Sequence, residues 1–179
     1  MEILFYFQAL AAIVTLFFVG SYWENIRHLL KWKSFAFWKL GACIVFAILC
    51  SLIVQILVFY LNKTVAPEQS DNYSLYQHHP YGNYLMVLSI AVFPAIFEEL
   101  AYRGYLMQKL LNVVDKKEAI YISSIMFFLI HFSLASFFWL LPFAALLAYI
   151  RIKENTLWYG IVIHFIFNLT SCLVDILYP

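Results

Sequence analysis

The chain has 179 residues, of which 65% are hydrophobic and 12% are charged, and its net charge is +1. Soluble domains are usually about 45–50% apolar and about 25% charged, so this composition excludes an ordinary soluble domain and predicts an integral membrane protein. The net charge itself says nothing about nucleic acid, but no basic cluster suggests a nucleic-acid partner, and the expected surroundings are the lipid bilayer.

The N-terminal part, residues 1–83, predicts two membrane spans and an outer loop. The chain begins Met1-Glu2 and stays apolar to Val19, without the basic segment of a signal peptide, so we interpret it as a retained first span. A span needs about 20 apolar residues, and the two runs cover about 3–22 and 38–61. The polar segment 62–83 then forms the outer loop, and we interpret its histidines as solvated.

The C-terminal part, residues 84–179, predicts four more helices, at about 84–111, 118–134, 137–150 and 156–177. The apolar stretch 118–150 would be about 50 Å long as one helix, whereas the hydrocarbon core is about 30 Å thick. We therefore divide it at a turn near Ser133–Ser136. The pattern predicts an all-α, polytopic membrane helical bundle of about six transmembrane helices, which together form a single integral membrane domain.

The distribution of basic residues orients this bundle. Ten of the eleven Lys and Arg residues fall on one face when the six helices alternate in direction, and only Lys63 falls on the other. The positive-inside rule predicts that the basic face is cytoplasmic, with both termini outside. The short, minimal chain favours a bacterial cell membrane.

Two adjacent carboxylates, Glu98 and Glu99, follow the apolar run 84–97. A charged side chain inside a bilayer costs roughly 2.5–3.5 kcal/mol, so such residues are usually paired or functional. Glu99 and Arg103 have the i, i+4 spacing of a helical ion pair with the acid first, which predicts that Arg103 satisfies Glu99. Glu98 lies about 100° around the helix and lacks that partner, which makes it the candidate general base.

The later spans contribute His131, His164 and Asn168. Polar groups inside membranes tend to face the bundle interior, so we expect these three to converge with Glu98. Glu98 with His131 can deprotonate a water, and His164 with Asn168 can donate hydrogen bonds to an oxyanion. Glu98, His131 and His164 are also alternative ligands for a zinc ion with one open position, although no HExxH motif occurs.

Three motifs carry a family resemblance: EExxxR at 98–103, FxxxH at 127–131 and HxxxN at 164–168. This ordered set resembles the CAAX prenyl endopeptidase and bacteriocin-processing (CPBP, or Abi) intramembrane proteases over about residues 84–172. The resemblance implies a helical catalytic bundle with an intramembrane site reached from the cytoplasm. It also implies cleavage near the C-terminus of a membrane-associated peptide or protein.

The resemblance implies a role for each motif residue. Glu98 and His131 would activate water, and His164 and Asn168 would hold the oxyanion. Glu99 and Arg103 would be structural supports. The resemblance is compatible with a metal-free glutamate mechanism, which we favour, and with a zinc metalloprotease, so no cofactor is assigned.

Two other functions stay open at this stage: a non-catalytic bacteriocin-immunity or membrane interaction protein, and a proton-coupled carrier.

A geometric requirement also follows. Glu98 lies about 7–8 Å along the helix axis from Arg103, whereas His131 lies roughly 21 Å from Lys117. The two can meet if the third helix continues with Arg103 buried or if the fourth begins well below the membrane, and we expect both in part. The sequence fixes neither the substrate nor the oligomeric state.

Overall fold

The computed structural model describes residues 2–32, 35–65, 73–133 and 136–178 of the chain. Within these ranges the fold is all-helical, as predicted, and no strand is present. The long helices are α1 (Glu2–Ser21), α2 (Phe37–Val65), α3 (Gly82–Leu110), α4 (Lys116–Leu129), α5 (Phe137–Glu154) and α6 (Trp158–Leu177). Short helical segments cover Trp23–Ile26, Arg27–Leu30 and Tyr73–Leu75.

Four helices of the described part are long and apolar enough to cross a membrane: Ile3–Ser21, Phe37–Leu61, Gly82–Leu110 and Trp158–Leu177. The prediction of about six spans is therefore not confirmed. Helix α4 has 14 residues and is about 21 Å long, which is shorter than a hydrocarbon core of about 30 Å. Helix α5 has 18 residues, but its last turn is charged. The two shorter helices pack against each other, and residues 134–135 of their predicted turn lie outside the described ranges.

The first two helices turn apolar side chains outward. Phe7, Phe17, Trp38 and Phe59 are each at least 63% exposed. A contiguous apolar surface of this kind is unfavourable in water and is what a lipid-facing helix presents. The structure therefore supports an integral membrane protein, while the division of the chain at residues 83 and 84 stays a prediction.

Helix α3 is the element that positions the two glutamates. It continues past Arg103 to Leu110, and the Arg103 side chain is fully buried, as the sequence required. The helix widens into two π-helical segments, Leu88–Val92 and Glu99–Leu106. Such segments are frequent at functional sites because they change the direction in which side chains leave the helix. The second one begins at Glu99, directly after Glu98.

One end of the bundle gathers the loops that carry the basic residues, and we call it the basic end. It comprises the connections at 22–32, 35–36, 111–115 and 155–157. Lys39 at the start of α2 forms an ion pair with Glu154 at the end of α5, with a distance of 2.7 Å between Nζ and Oε2. Lys33, one of the ten basic residues assigned to this face from the sequence, lies outside the described ranges. Residues 66–72 of the predicted outer loop also lie outside them.

Candidate active site

A cavity of about 620 Å³ lies between α1, α3, α4, α5 and α6. All four predicted catalytic residues line it: Glu98 from α3, His131 from just after α4, and His164 and Asn168 from α6. The structure therefore brings together, around one space, side chains that lie up to 70 positions apart in the sequence. Their catalytic roles stay predictions.

The predicted ion pair between Glu99 and Arg103 is present. The distance from Arg103 Nη1 to Glu99 Oε1 is 2.9 Å, and both side chains are fully buried. Arg103 Nη2 also donates to the backbone carbonyl of Ala144 at 3.0 Å, which joins α3 to α5. The guanidinium lies over the ring of Phe127, 4.3 Å from its centroid, in a cation–π contact. Arg103 on α3 therefore contacts both α5 and α4.

Glu99 has a second partner that the sequence analysis missed. Its Oε1 lies 3.1 Å from Nδ1 of His164, which is buried on α6. Arg103 Nη1 and His164 Nδ1 both donate to this oxygen, since the carboxylate paired with Arg103 is an acceptor. His164 Nε2 lies 3.9 Å from Glu98 Oε2, which is too long for a hydrogen bond. His164 is therefore hydrogen-bonded to Glu99 and lies close to Glu98 without a hydrogen bond to it.

His131 lies just beyond the end of α4, with an exposed side chain at the edge of the cavity. Its Nδ1 lies 2.9 Å from the carbonyl oxygen of Phe127. A carbonyl only accepts, so Nδ1 donates and the neutral ring keeps a free lone pair on Nε2. The Phe127 ring packs against His131, with 4.9 Å between ring centroids, and it also contacts His164 at 5.9 Å.

Asn168 and Glu98 present free hydrogen-bonding capacity to the cavity. Asn168 Nδ2 donates to the carbonyl of Ile90 at 2.9 Å, which orients the amide. Since the amide nitrogen carries two hydrogens, a second remains for another acceptor. Oε2 of Glu98 is buried and has no hydrogen-bond partner among the described residues. The site thus offers an acceptor and a donor that are not used within the fold.

Gln8 of α1 is a cavity residue that the sequence analysis did not select. Its Nε2 donates to the carbonyl of Ser89 at 2.6 Å, and its buried Oε1 has no partner in the described part of the chain. A small cleft of about 70 Å³ between α1 and α3 is lined by both Gln8 and Glu98. A glutamine inside an apolar span was the available signal, because polar groups there usually face the protein interior.

The predicted alternative metal site lacks a suitable arrangement of ligands. Glu98, His131 and His164 are all described, and nowhere in the described chain are three His, Cys, Asp or Glu side chains grouped so that they could hold a metal ion. The rings of His131 and His164 both contact the Phe127 ring, and no hydrogen bond joins the two histidines among the described residues. The residues as placed do not fit a zinc ion, so the chemistry below is derived from the side chains alone.

Gly160 of α6 allows the close approach of Glu99. A Cβ atom at this position would lie 3.1 Å from Glu99 Oε2, tighter than normal van der Waals contact. The carboxylate cannot move aside easily because Arg103 and His164 both hold it. We expect Gly160→Ala to destabilise the protein by about 1–3 kcal/mol, the usual effect of overpacking. The measurement is the unfolding transition of detergent-purified protein.

Gly41→Ala is the matched control, because a Cβ at Gly41 on α2 would meet nothing within 4 Å. Alanine is a better helix former than glycine by about 1 kcal/mol, so this variant should be neutral or more stable. Equal stability of the two variants would show that Gly160 does not provide space for the Glu99 carboxylate.

The cavity lies in the half of the bundle remote from the basic end. Ser89 is near the start of α3, Trp139 is near the start of α5, and Asn168 is in the second half of α6. Two sequence-based predictions therefore exclude each other. The basic end cannot be cytoplasmic if the site is reached from the cytoplasm through this cavity.

Comparison with known protein families gives a match. The family model described as type II CAAX prenyl endopeptidase Rce1-like matches residues 80–170, which is more than half of the chain and includes all three motifs. No curated protein and no solved structure matches the chain. The predicted membership in the CAAX protease family is thus confirmed. The chain belongs to the type II CAAX prenyl endopeptidase Rce1-like family.

Proposed function

We propose that the protein is an intramembrane endopeptidase that hydrolyses a peptide bond in a membrane-associated peptide or protein. The observation that carries this proposal is the convergence of Glu98, His131, His164 and Asn168 on one cavity. Family membership supports a protease of the CAAX type. The narrow cleft between α1 and α3 supports access for a substrate that is anchored in the same membrane.

Glu98 is the proposed general base. Its carboxylate takes a proton from a water molecule while the water oxygen attacks the carbonyl carbon of the scissile peptide bond. The free acceptor at Oε2 suits this step, since it has no competing donor among the described residues. The proton then passes to the leaving nitrogen as the C–N bond breaks, which yields a carboxylic acid and an amine. His131 assists through Nε2, which its contact with Phe127 leaves free.

His164 and Asn168 are the proposed oxyanion donors. Asn168 supplies its second amide hydrogen, because the first is held by Ile90. His164 can donate from Nε2 only as an imidazolium, since Nδ1 already gives its proton to Glu99. A charged ring between Glu98 and Glu99 makes the cluster neutral, with Arg103 as the second cation. Glu99 and Arg103 then act as positioning residues that fix His164.

The test is cleavage of a library of synthetic peptides, each with an apolar anchor, by detergent-purified protein. We expect products that appear with wild type and disappear with Glu98→Gln, as detected by mass spectrometry. A strong zinc chelator should leave the rate unchanged, because the site offers no ligand set that fits a metal. Loss of activity on chelation, with recovery on zinc addition, would establish the metal-dependent alternative.

Wild type and Glu98→Gln also distinguish the protease from the two other candidate functions. Equal absence of products from wild type and variant would favour the immunity or interaction protein. Proton flux into proteoliposomes that depends on Glu98, without any peptide cleavage, would favour the carrier.

A further inference from the structure

The basic end is a compact structural unit and not only a feature of the sequence. Nζ of Lys109, at the end of α3, lies 3.8 Å from the centroid of the Tyr22 ring, just after α1. The indole of Trp158, at the start of α6, donates to the carbonyl of Leu30 at 2.8 Å. The ends of α1, α3 and α5 and the starts of α2, α4 and α6 therefore meet there. The described basic loops therefore lie at one end of the bundle.

The cavity is closed toward this end. Glu99 and Arg103 lie behind the lining residues His164 and Phe127, and both are fully buried. Below them Arg151 of α5 is 4% exposed and donates through Nε to the carbonyl of Arg103 at 2.9 Å. Leu147 and Leu157, at 0% and 1% exposure, fill the same layer. A peptide could not pass from the basic end to Glu98 without breaking these contacts.

The opposite end supplies the upper wall of the cavity. Leu75 and Tyr76, in the connection before α3, line it together with Ser133 and Ser136, which both precede the start of α5. Ser133 is half-buried and His131 is exposed, so the wall is open at this point. Apart from Lys63, no Lys or Arg among the described residues lies at this end. The chain thus has a closed, basic end and an open end that is almost free of basic residues.

Lys and Arg in short loops set membrane orientation, and the loops rich in them stay in the cytoplasm. We infer that the cavity opens to the extracytoplasmic side of the membrane and receives a peptide segment that has already been translocated. The substrate class is then a membrane-anchored peptide whose cleavable part lies outside. The peptide half of this inference rests on the proposed function, whereas the orientation does not.

The first experiment tests orientation in intact cells with single added cysteines and a membrane-impermeant maleimide. His79→Cys, on the exposed turn before α3, and Ser133→Cys, at the cavity wall, report the open end. Lys117→Cys, exposed near the start of α4, reports the basic end. Wild type gives the background signal, because its three cysteines lie within α2 and α6.

We expect the maleimide to block the first two variants completely before permeabilisation, so that a later thiol-specific mass tag gives no shift. Lys117→Cys should keep its full mass shift. If the maleimide reacts with Lys117→Cys and not with His79→Cys in intact cells, the inference is overturned. Reaction with Lys117→Cys and His79→Cys alike would also overturn it. None of these outcomes depends on enzyme activity, so they stand apart from the proposed function.

The second experiment tests the substrate class. Two libraries of single-span reporters share one apolar anchor and one set of randomised linkers, which lie outside the membrane in one library and inside in the other. Cleavage of the outward library alone, lost with Glu98→Gln, is the expected result. Cleavage of the inward library would contradict the inference. If neither library is cleaved while labelling holds, the proposed protease function fails and the orientation survives.

Discussion

Replacement of Glu98 by glutamine is expected to lower kcat by about 10²- to 10⁴-fold, the contribution typical of a general base. Glutamine keeps the size of the side chain and an acceptor oxygen but cannot take a proton from water. The loss should fall on kcat rather than on stability, because Oε2 of Glu98 has no hydrogen-bond partner among the described residues and the side chain is 26% exposed. Steady-state kinetics on a cleaved peptide give the measurement.

Glu24→Gln is the matched control for this substitution. Glu24 has an exposed ion pair with Arg27 at the basic end, far from the cavity, so its loss should change neither rate nor unfolding transition. A Glu98→Gln variant with the wild-type kcat would remove Glu98 from the mechanism. A variant that lost activity together with its folded state would instead assign Glu98 a structural role.

Contacts within one helix were accessible from the sequence. The i, i+4 spacing predicted the pair of Glu99 with Arg103, and the structure contains it. Phe127 and His131 have the same spacing, and their rings are in contact. Neighbours one turn apart on a helix lie on one face whatever the rest of the fold does. The bounds of the helices also follow the apolar runs closely.

Contacts between helices were less accessible. His164 lies 65 positions from Glu99, and their hydrogen bond depends on how α3 and α6 are rotated about their axes. The π-helical segment at Glu99–Leu106 changes that rotation, and nothing in the residue pattern marks it. The end of α4 was misplaced for a similar reason. The apolar run continues past Leu129, but the backbone turns back at Phe132, with a φ of 47°.

Substitution of Arg103 by methionine is expected to destabilise the protein by about 3–5 kcal/mol, since it leaves a buried charge without its partner. Glu99 would keep only His164, and the carbonyl of Ala144 would lose its donor. Methionine preserves most of the apolar volume against Phe127, so the effect reports the charge rather than a cavity. Unfolding of detergent-purified protein provides the measurement.

The double variant Glu99→Gln/Arg103→Met distinguishes a charge effect from general disruption. Removing both charges leaves no unpaired carboxylate. The double variant should therefore lose less free energy of unfolding than the two single variants lose in sum, by about 0.5–3 kcal/mol. A second double-mutant cycle on the exposed pair of Glu24 with Arg27 is the reference, and its coupling free energy should be about 0.2–1 kcal/mol. If the two single effects on the free energy of unfolding simply add, the charges of Glu99 and Arg103 do not stabilise the fold as a pair.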